Sequence, residues 1–387
     1  MPEPIPRPDL ALVLSGGGAR AAYQVGFLRL LAREFSDVVP GILTGVSAGG
    51  INAAYLAAQQ ESFADKVANL ASIWAGLSID DVFRVDLRDL AGRTLRWGGR
   101  LTGGGVTPLP AAKSLVDTAP LRVLLERVLQ AGGGVLDGIS SSLHAGWLRA
   151  IALTASNYTT GQSITWVQAR EDCGIQTWER PQRKSQTCAL RIDHVMASAA
   201  LPFFFPAIHV DGQWYGDGGI RLTAPLSPAV HLGARKIIAV STRYAGTREE
   251  ADRPKVAGYP PPAQVAGILL NAIFLDLLDS DALNMQMIND LVGRLPESQR
   301  NGLRHIELLV LRPSEDLGRL ANEYEPELPR AFRFLTRGLG TREARSNDLL
   351  SLLMFQSNYI RRLIQMGEAD AAARISTIRR FLVDASC

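Results

Sequence analysis

Leu10-Ala11-Leu12-Val13-Leu14-Ser15-Gly16-Gly17-Gly18-Ala19-Arg20 is the stretch that decides the fold. A short apolar run entering a glycine cluster reads as a buried strand that ends in a tight turn. From Ala21 to Phe35 the spacing becomes helical, with Val25, Leu28, Leu31 and Ala32 on one face. The unit then repeats in kind. Gly41-Ile42-Leu43-Thr44-Gly45 is a short strand, and Gly45-Val46-Ser47-Ala48-Gly49 is a turn. Gly50 to Gln60 is small and apolar, which suits a buried helix. Two successive units of this kind predict an α/β fold with a mainly parallel sheet and helices on both faces.

Residues 80–117 break the pattern. Arg84, Arg88, Arg93, Arg96 and Arg100 alternate with Val85, Leu87, Leu90, Leu95, Trp97 and Leu101, ahead of a glycine-rich stretch. This is a variable excursion from the core. Its segment 84–101 is the candidate for peripheral membrane contact, because Arg attracts anionic headgroups and Trp97 suits the interfacial zone. A solvated surface loop is the plainer alternative. Pro120 then opens a helix to about Gln130. Leu148–Ser156, Gln162–Gln168, Lys236–Val240 and His305–Leu311 read as strands, while Asp172–Arg191 is polar and reads as a connection. The expected organisation is a core over 1–245, a Pro-rich loop or linker over 246–262, and a mostly helical region over 263–387, packed on or beside the core.

Composition excludes several classes. The chain has 387 residues, 47% hydrophobic and 20% charged, which is globular rather than disordered. With 41 basic against 38 acidic residues, nucleic acid is not an expected partner. The N-terminus lacks the apolar core of a signal peptide, and no run of about 18 apolar residues argues for a spanning helix. Three cysteines, Cys173, Cys188 and Cys387, are an odd and sparse set that favours free thiols. These features together predict a cytoplasmic protein.

The chemistry lies in the glycine turns. Gly45-x-Ser47-x-Gly49 is the nucleophile-elbow pattern, in which a serine on a sharp strand-to-helix turn projects above the sheet. The alternative is a serine that simply caps a helix. Gly16, Gly17 and Gly18 are candidates for an oxyanion hole, since N–H groups at a helix start face developing negative charge. A bare turn or a weak dinucleotide fingerprint are the competing readings, and the latter has Ala21 where a third glycine belongs. Arg20 either fixes that loop or steadies an anionic substrate. A serine nucleophile needs a base. None of His144, His194, His209, His231 and His305 sits in a catalytic turn; His194 reads as a core or helix-start residue and His209 as a strand residue. Asp217, within Gly216-Asp217-Gly218-Gly219, is better placed, although an ordinary Asp-Gly turn has the same appearance.

These three motifs, in this order, resemble the patatin-like phospholipase family over roughly residues 9–240. Ser15-Gly16-Gly17-Gly18-Ala19-Arg20, Gly45-Val46-Ser47-Ala48-Gly49 and Asp217-Gly218-Gly219 carry the resemblance, with Ala197-Ser-Ala-Ala-Leu-Pro202 in support. The resemblance implies a three-layer α/β/α fold and hydrolysis of acyl esters in phospholipids, lysophospholipids or related lipids. It implies Ser47 as nucleophile, Asp217 as base, and the Gly16–Gly18 amides as oxyanion hole, with Ala19, Arg20, Gly45, Gly49, Gly218 and Gly219 as supporting motif residues. No metal and no cofactor is implied. Ala21 departs from the family's usual glycine. An acyltransferase with the same dyad, or a silent lipid-binding protein of the same fold, is the alternative. A Ser-His-Asp hydrolase is disfavoured, because only two strands precede Ser47 and the last 82 residues contain no histidine.

Overall fold

β1 (Ile5–Leu14) shows why the chain folds as it does. Leu10, Leu12 and Leu14 enter one apolar core, while Ala11 and Val13 enter another on the opposite face of the sheet. A strand buried on both faces reads as a continuous apolar run, which is the pattern of Leu10–Leu14. Each leucine taken fully out of water contributes about 1.5–3 kcal/mol. The computed structural model describes residues 5–84, 114–252, 259–274, 277–329, 332–333, 337 and 346–383.

The remaining strands are β2 (Val38–Val46), β3 (Ala150–Asn157), β4 (Ser163–Ala169), β5 (Glu179–Arg180), β6 (Arg183–Thr187), β7 (Ile208–Val210), β8 (Gln213–Asp217), β9 (Lys236–Val240) and β10 (Glu307–Leu311). They form one sheet in the order β10-β9-β1-β2-β3-β4-β6-β5, with β8 pairing β3 and β7. From β10 to β3 every neighbouring pair is parallel. β4 and β8 both run antiparallel to β3.

Helices cover both faces. α1 (Ala22–Glu34), α2 (Ser47–Ala58), α3 (Phe63–Gly76) and the helix Ser357–Ala373 pack on the larger core. The helices Ser227–His231 and Leu277–Arg294 pack on the smaller one. The result is a three-layer α/β/α arrangement around a mainly parallel sheet. Residues beyond 262 share in it: β10 extends the sheet alongside β9. α1 and Ser357–Ala373 approach backbone to backbone, so that a Cβ at Gly26 would overlap the Ile364 carbonyl and one at Gly367 the Tyr23 carbonyl.

Three stretches differ from the sequence reading or lie beyond it. Asp172–Arg191 is more than a connection, because it holds β5 and β6. Their residues are mostly exposed and polar, so no alternation betrays them. The 246–262 stretch includes a short helix, Arg248–Ala251. Within the 80–117 excursion, Arg84 and Asp117 exchange backbone hydrogen bonds at 2.9 and 3.2 Å and close its base. Of the proposed membrane contact 84–101, all but Arg84 lies outside the described residues. Among the described residues, no helix is long and apolar enough to cross a membrane. Cys173 and Cys188 are free thiols.

Candidate active site

The site forms where one strand leaves the sheet and another enters. β2 pairs with β3 as far as Val46 opposite Thr154. The next residue of β3, Ala155, is opposite Asp217 of β8. Ser47 therefore begins α2 just where Asp217 takes over the edge that β2 has vacated. Residues 170 apart in sequence become neighbours through this one substitution of strands.

Ser47 holds φ at 56°. For a residue with a side chain this left-handed region costs about 1–3 kcal/mol and persists only where the surroundings enforce it. The flanking glycines make the turn possible. A Cβ at Gly45 would lie 2.6 Å from the Gly49 carbonyl oxygen, and one at Gly49 would overlap the Leu14 and Ser15 carbonyls. Ser198 adds a polar clamp: its Oγ accepts the Ser47 N–H at 3.1 Å and donates to the Thr154 carbonyl at 2.7 Å. Two residues on, the Ala200 carbonyl accepts the Asp217 N–H at 2.9 Å. The Ala197–Pro202 segment thus braces both residues of the candidate dyad. The sequence marks this segment, but nothing in its local pattern gives Ser198 that task.

Asp217 is fully buried. Its Oδ1 accepts the Gly219 N–H at 2.9 Å. Its Oδ2 has no hydrogen-bond partner among the described residues. Burial pushes the carboxyl up to about 7, against the opposing pull of the Ser47 hydroxyl and the Gly219 amide. The Ser47 hydroxyl is thus near enough to act on the carboxyl. Tyr158 lies over Gly216, and its phenol is raised to about 12 by burial and by the charge of Asp217.

The glycine turn faces the same spot. A Cβ at Gly16 would stand 3.1 Å from the Ser47 Cβ. Gly17 has φ 149° and Gly18 φ 54°, values that glycine takes without penalty. Gly18 opens a 3-10 turn, Gly18–Ala21, so its N–H has no partner within that turn. No described acceptor takes the Gly17 N–H. The carbonyls of the turn are pinned from behind: Thr242 Oγ1 donates to Gly16 O at 2.6 Å, and Gln24 Nε2 to Ser15 O at 2.7 Å. Both bonds hold the turn beside Ser47. Arg20 is absent from the lining of the cavity beside Ser47. It is buried, with Nη2 2.7 Å from Asp348 Oδ1 and Nε donating to Ser351 Oγ at 2.7 Å. Of its two candidate roles, holding the loop is the one the geometry favours.

Ser47, Gly17 and Gly18 open into a cavity whose exposed lining is mostly apolar. Ile51, Leu70, Trp74, Leu125, Leu353 and Phe355 are among its walls. An apolar chamber with a few polar groups at one end fits a ligand with a long apolar arm and one reactive head. His194 takes no part. It is buried against the Trp166 ring, 4.5 Å between centroids, its Nδ1 accepts the Arg191 N–H, and burial lowers its pKa to about 4. His209 lies in β7, as the alternation around it predicts.

The family model described as Patatin-like phospholipase matches residues 12–230. Among solved structures, this chain is similar to VipD from Legionella pneumophila at 12% identity and TM-score 0.40, covering 96% of this chain and 67% of that one. It is similar to human GIVD cytosolic phospholipase A2 in complex with methyl gamma-linolenyl fluorophosphonate at 14% identity and TM-score 0.44, covering 96% and 58%. The heterodimeric ExoU-SpcU complex of Pseudomonas aeruginosa is matched at 14% identity and TM-score 0.25, covering 96% and 60%. The chain thus spans 58–67% of the length of these solved chains. No curated protein matches it.

Proposed function

The chain belongs to the patatin-like phospholipase family, and from that premise we propose that it hydrolyses acyl esters of phospholipids or lysophospholipids through a Ser47–Asp217 dyad. One observation carries the reading. A fully buried carboxyl, raised to about 7, faces a serine held at positive φ at the mouth of an apolar cavity. A base works best when its pKa lies near the working pH, and burial brings Asp217 there.

In the proposed reaction the acyl chain lies along the cavity and its ester carbonyl meets Ser47 Oγ. The hydroxyl proton passes to Asp217 as the O–C bond forms. The oxyanion is met by the Gly17 and Gly18 amides, with Gly16 shaping the turn; each such donor is worth roughly 3–4 kcal/mol. Collapse of the tetrahedral species expels the alcohol, which takes the proton from Asp217, and leaves an acyl-Ser47. Water then attacks the acyl group, giving its proton to Asp217, and the fatty acid departs as that proton returns to Ser47. Peripheral association with lipid surfaces and a cytoplasmic setting belong to the same proposal.

Labelling by a fluorophosphonate probe tests it. Wild type should label, Ser47→Ala should not, and Asp217→Asn should label at least 100-fold more slowly, the scale of a lost general base. Persistent labelling of Ser47→Ala would remove Ser47 as nucleophile. Hydrolysis of lysophospholipid in liposomes should follow the same order, and added glycerol should not divert the acyl group from water.

A further inference from the structure

Three consecutive glycines make a poor scaffold for aligned donors, because glycine is the residue with the most backbone freedom to lose. Something outside the turn has to hold it. Thr242 and Gln24 pin its carbonyls from the sheet side. On the other side the holder is the helix Asp348–Leu353, which lies beyond the matched residues 12–230. Its backbone sits directly on the turn, so that a Cβ at Gly18 would overlap the Leu352 carbonyl. Arg20, two residues after Gly18, is gripped there at two points. Asp348 Oδ1 takes its Nη2 at 2.7 Å and Ser351 Oγ its Nε at 2.7 Å, with the Asp348 carbonyl 3.3 Å away. Arg20, Asp348 and Ser351 are 3%, 8% and 0% exposed, so water offers the guanidinium little substitute.

We propose that Asp348 is a positioning residue for catalysis: through the buried Arg20 it fixes the Gly16–Gly18 turn at the geometry the oxyanion needs. The inference rests on the acyl-hydrolase reading and adds to it a part of the site that the three glycine motifs do not contain. Leu352 and Leu353, on the same helix, line the cavity wall. One short helix thereby holds the donors and shapes the acyl chamber together. Replacing Asp348 leaves a buried guanidinium unpaired, and the turn attached to it relaxes. Misplacement of donors by about an ångström can cost on the order of 100-fold in rate while leaving ground-state binding nearly intact.

The test compares wild type with Asp348→Asn, which keeps size and removes charge. With p-nitrophenyl butyrate, kcat should fall by roughly 10–100-fold and KM should stay within about threefold. An aliphatic trifluoromethyl ketone, whose hemiketal with Ser47 carries an oxyanion, should bind more weakly by a similar factor. Oleyl alcohol, a long apolar chain with a neutral head and no anionic oxygen, should bind within about twofold of wild type. A cooperatively melting variant with unchanged kcat overturns the inference. So does equal weakening of ketone and oleyl alcohol, which would make Asp348 a cavity residue only. If Asp348→Asn does not melt cooperatively, Ser351→Ala decides: a loss of about 3–10-fold in kcat at unchanged KM supports the inference, and an unchanged kcat overturns it. Wild type that neither labels at Ser47 nor turns over would sink the hydrolase reading, and this inference with it. Active wild type beside unaffected variants would sink the inference alone.

Discussion

Asp217 carries a proton to higher pH than an ordinary aspartate, and that has two measurable consequences. For rate, the proposed base is the ionised form, so kcat/KM should rise with pH through about 7 and level off above it. Histidine cannot produce that limb from His194, which burial holds at about 4. For stability, the folded protein keeps the proton up to about pH 7 while the unfolded chain loses it near 4. Across that window the folded state binds the extra proton, so stability falls as pH rises. Three units correspond to about 4 kcal/mol. Asp217→Asn should therefore be inactive yet more stable than wild type at pH 8.5, by up to about that amount, and gain far less at pH 5. Urea denaturation at both values measures it, and equal gains would mean that Asp217 is not held unfavourably charged.

Ser47 was legible at this scale because its glycines and the change from strand to helical spacing flank it in sequence. Asp217 was legible as a candidate only, since an Asp-Gly turn looks alike with or without a serine beside it. Ser198, Thr242 and Asp348 were not assigned a task. Their partners lie 151, 226 and 328 residues away, and no local spacing encodes contact across such distances.

Among the elements, the strands buried on both faces were the easiest to read, because apolar runs such as Leu10–Leu14 and Lys236–Val240 have few other uses. β5 and β6 escaped notice for the opposite reason. An exposed edge pair needs no apolar face, and Glu179–Arg180 with Arg183–Thr187 offers none. The pairing of α1 with Ser357–Ala373 depends on two glycines that no helical periodicity singles out. At Gly26 and Gly367 the backbones meet where a methyl group would stand. Gly26→Ala would raise helix propensity by about 1 kcal/mol in isolation. Here overpacking opposes that gain by about 1–3 kcal/mol or more. The net effect should be destabilising, seen as a lower urea midpoint at unchanged m-value. A midpoint at or above wild type would show that the two helices can separate freely.

Across the whole molecule, the glycine motifs occupy a matched region that ends at residue 230, while the structure they require continues past it. β10 lies beside β9, Tyr23 Oη donates to the Arg312 carbonyl at 2.7 Å, and Arg20 is held by Asp348. A chain cut after residue 262 would leave α1 without its partner helix, β9 with an open edge, and a buried guanidinium exposed. It should aggregate or melt without cooperativity, and should not label with the fluorophosphonate probe. A soluble, labelling fragment would show that the first 262 residues fold alone.

The grip of Asp348 and Leu352 on the glycine turn also sets a timetable. Synthesis runs from the N-terminus at about 5–20 residues per second, so roughly 7–27 seconds separate the emergence of Asp217 from that of the Asp348–Leu353 helix. Throughout that interval a nascent chain already owns the candidate nucleophile and base, yet lacks the wall that closes the cavity and the anchor that aligns the turn. On the proposed reading, membranes near the ribosome thus meet a disarmed polypeptide, and the capacity to cut lipid arrives in a single late step.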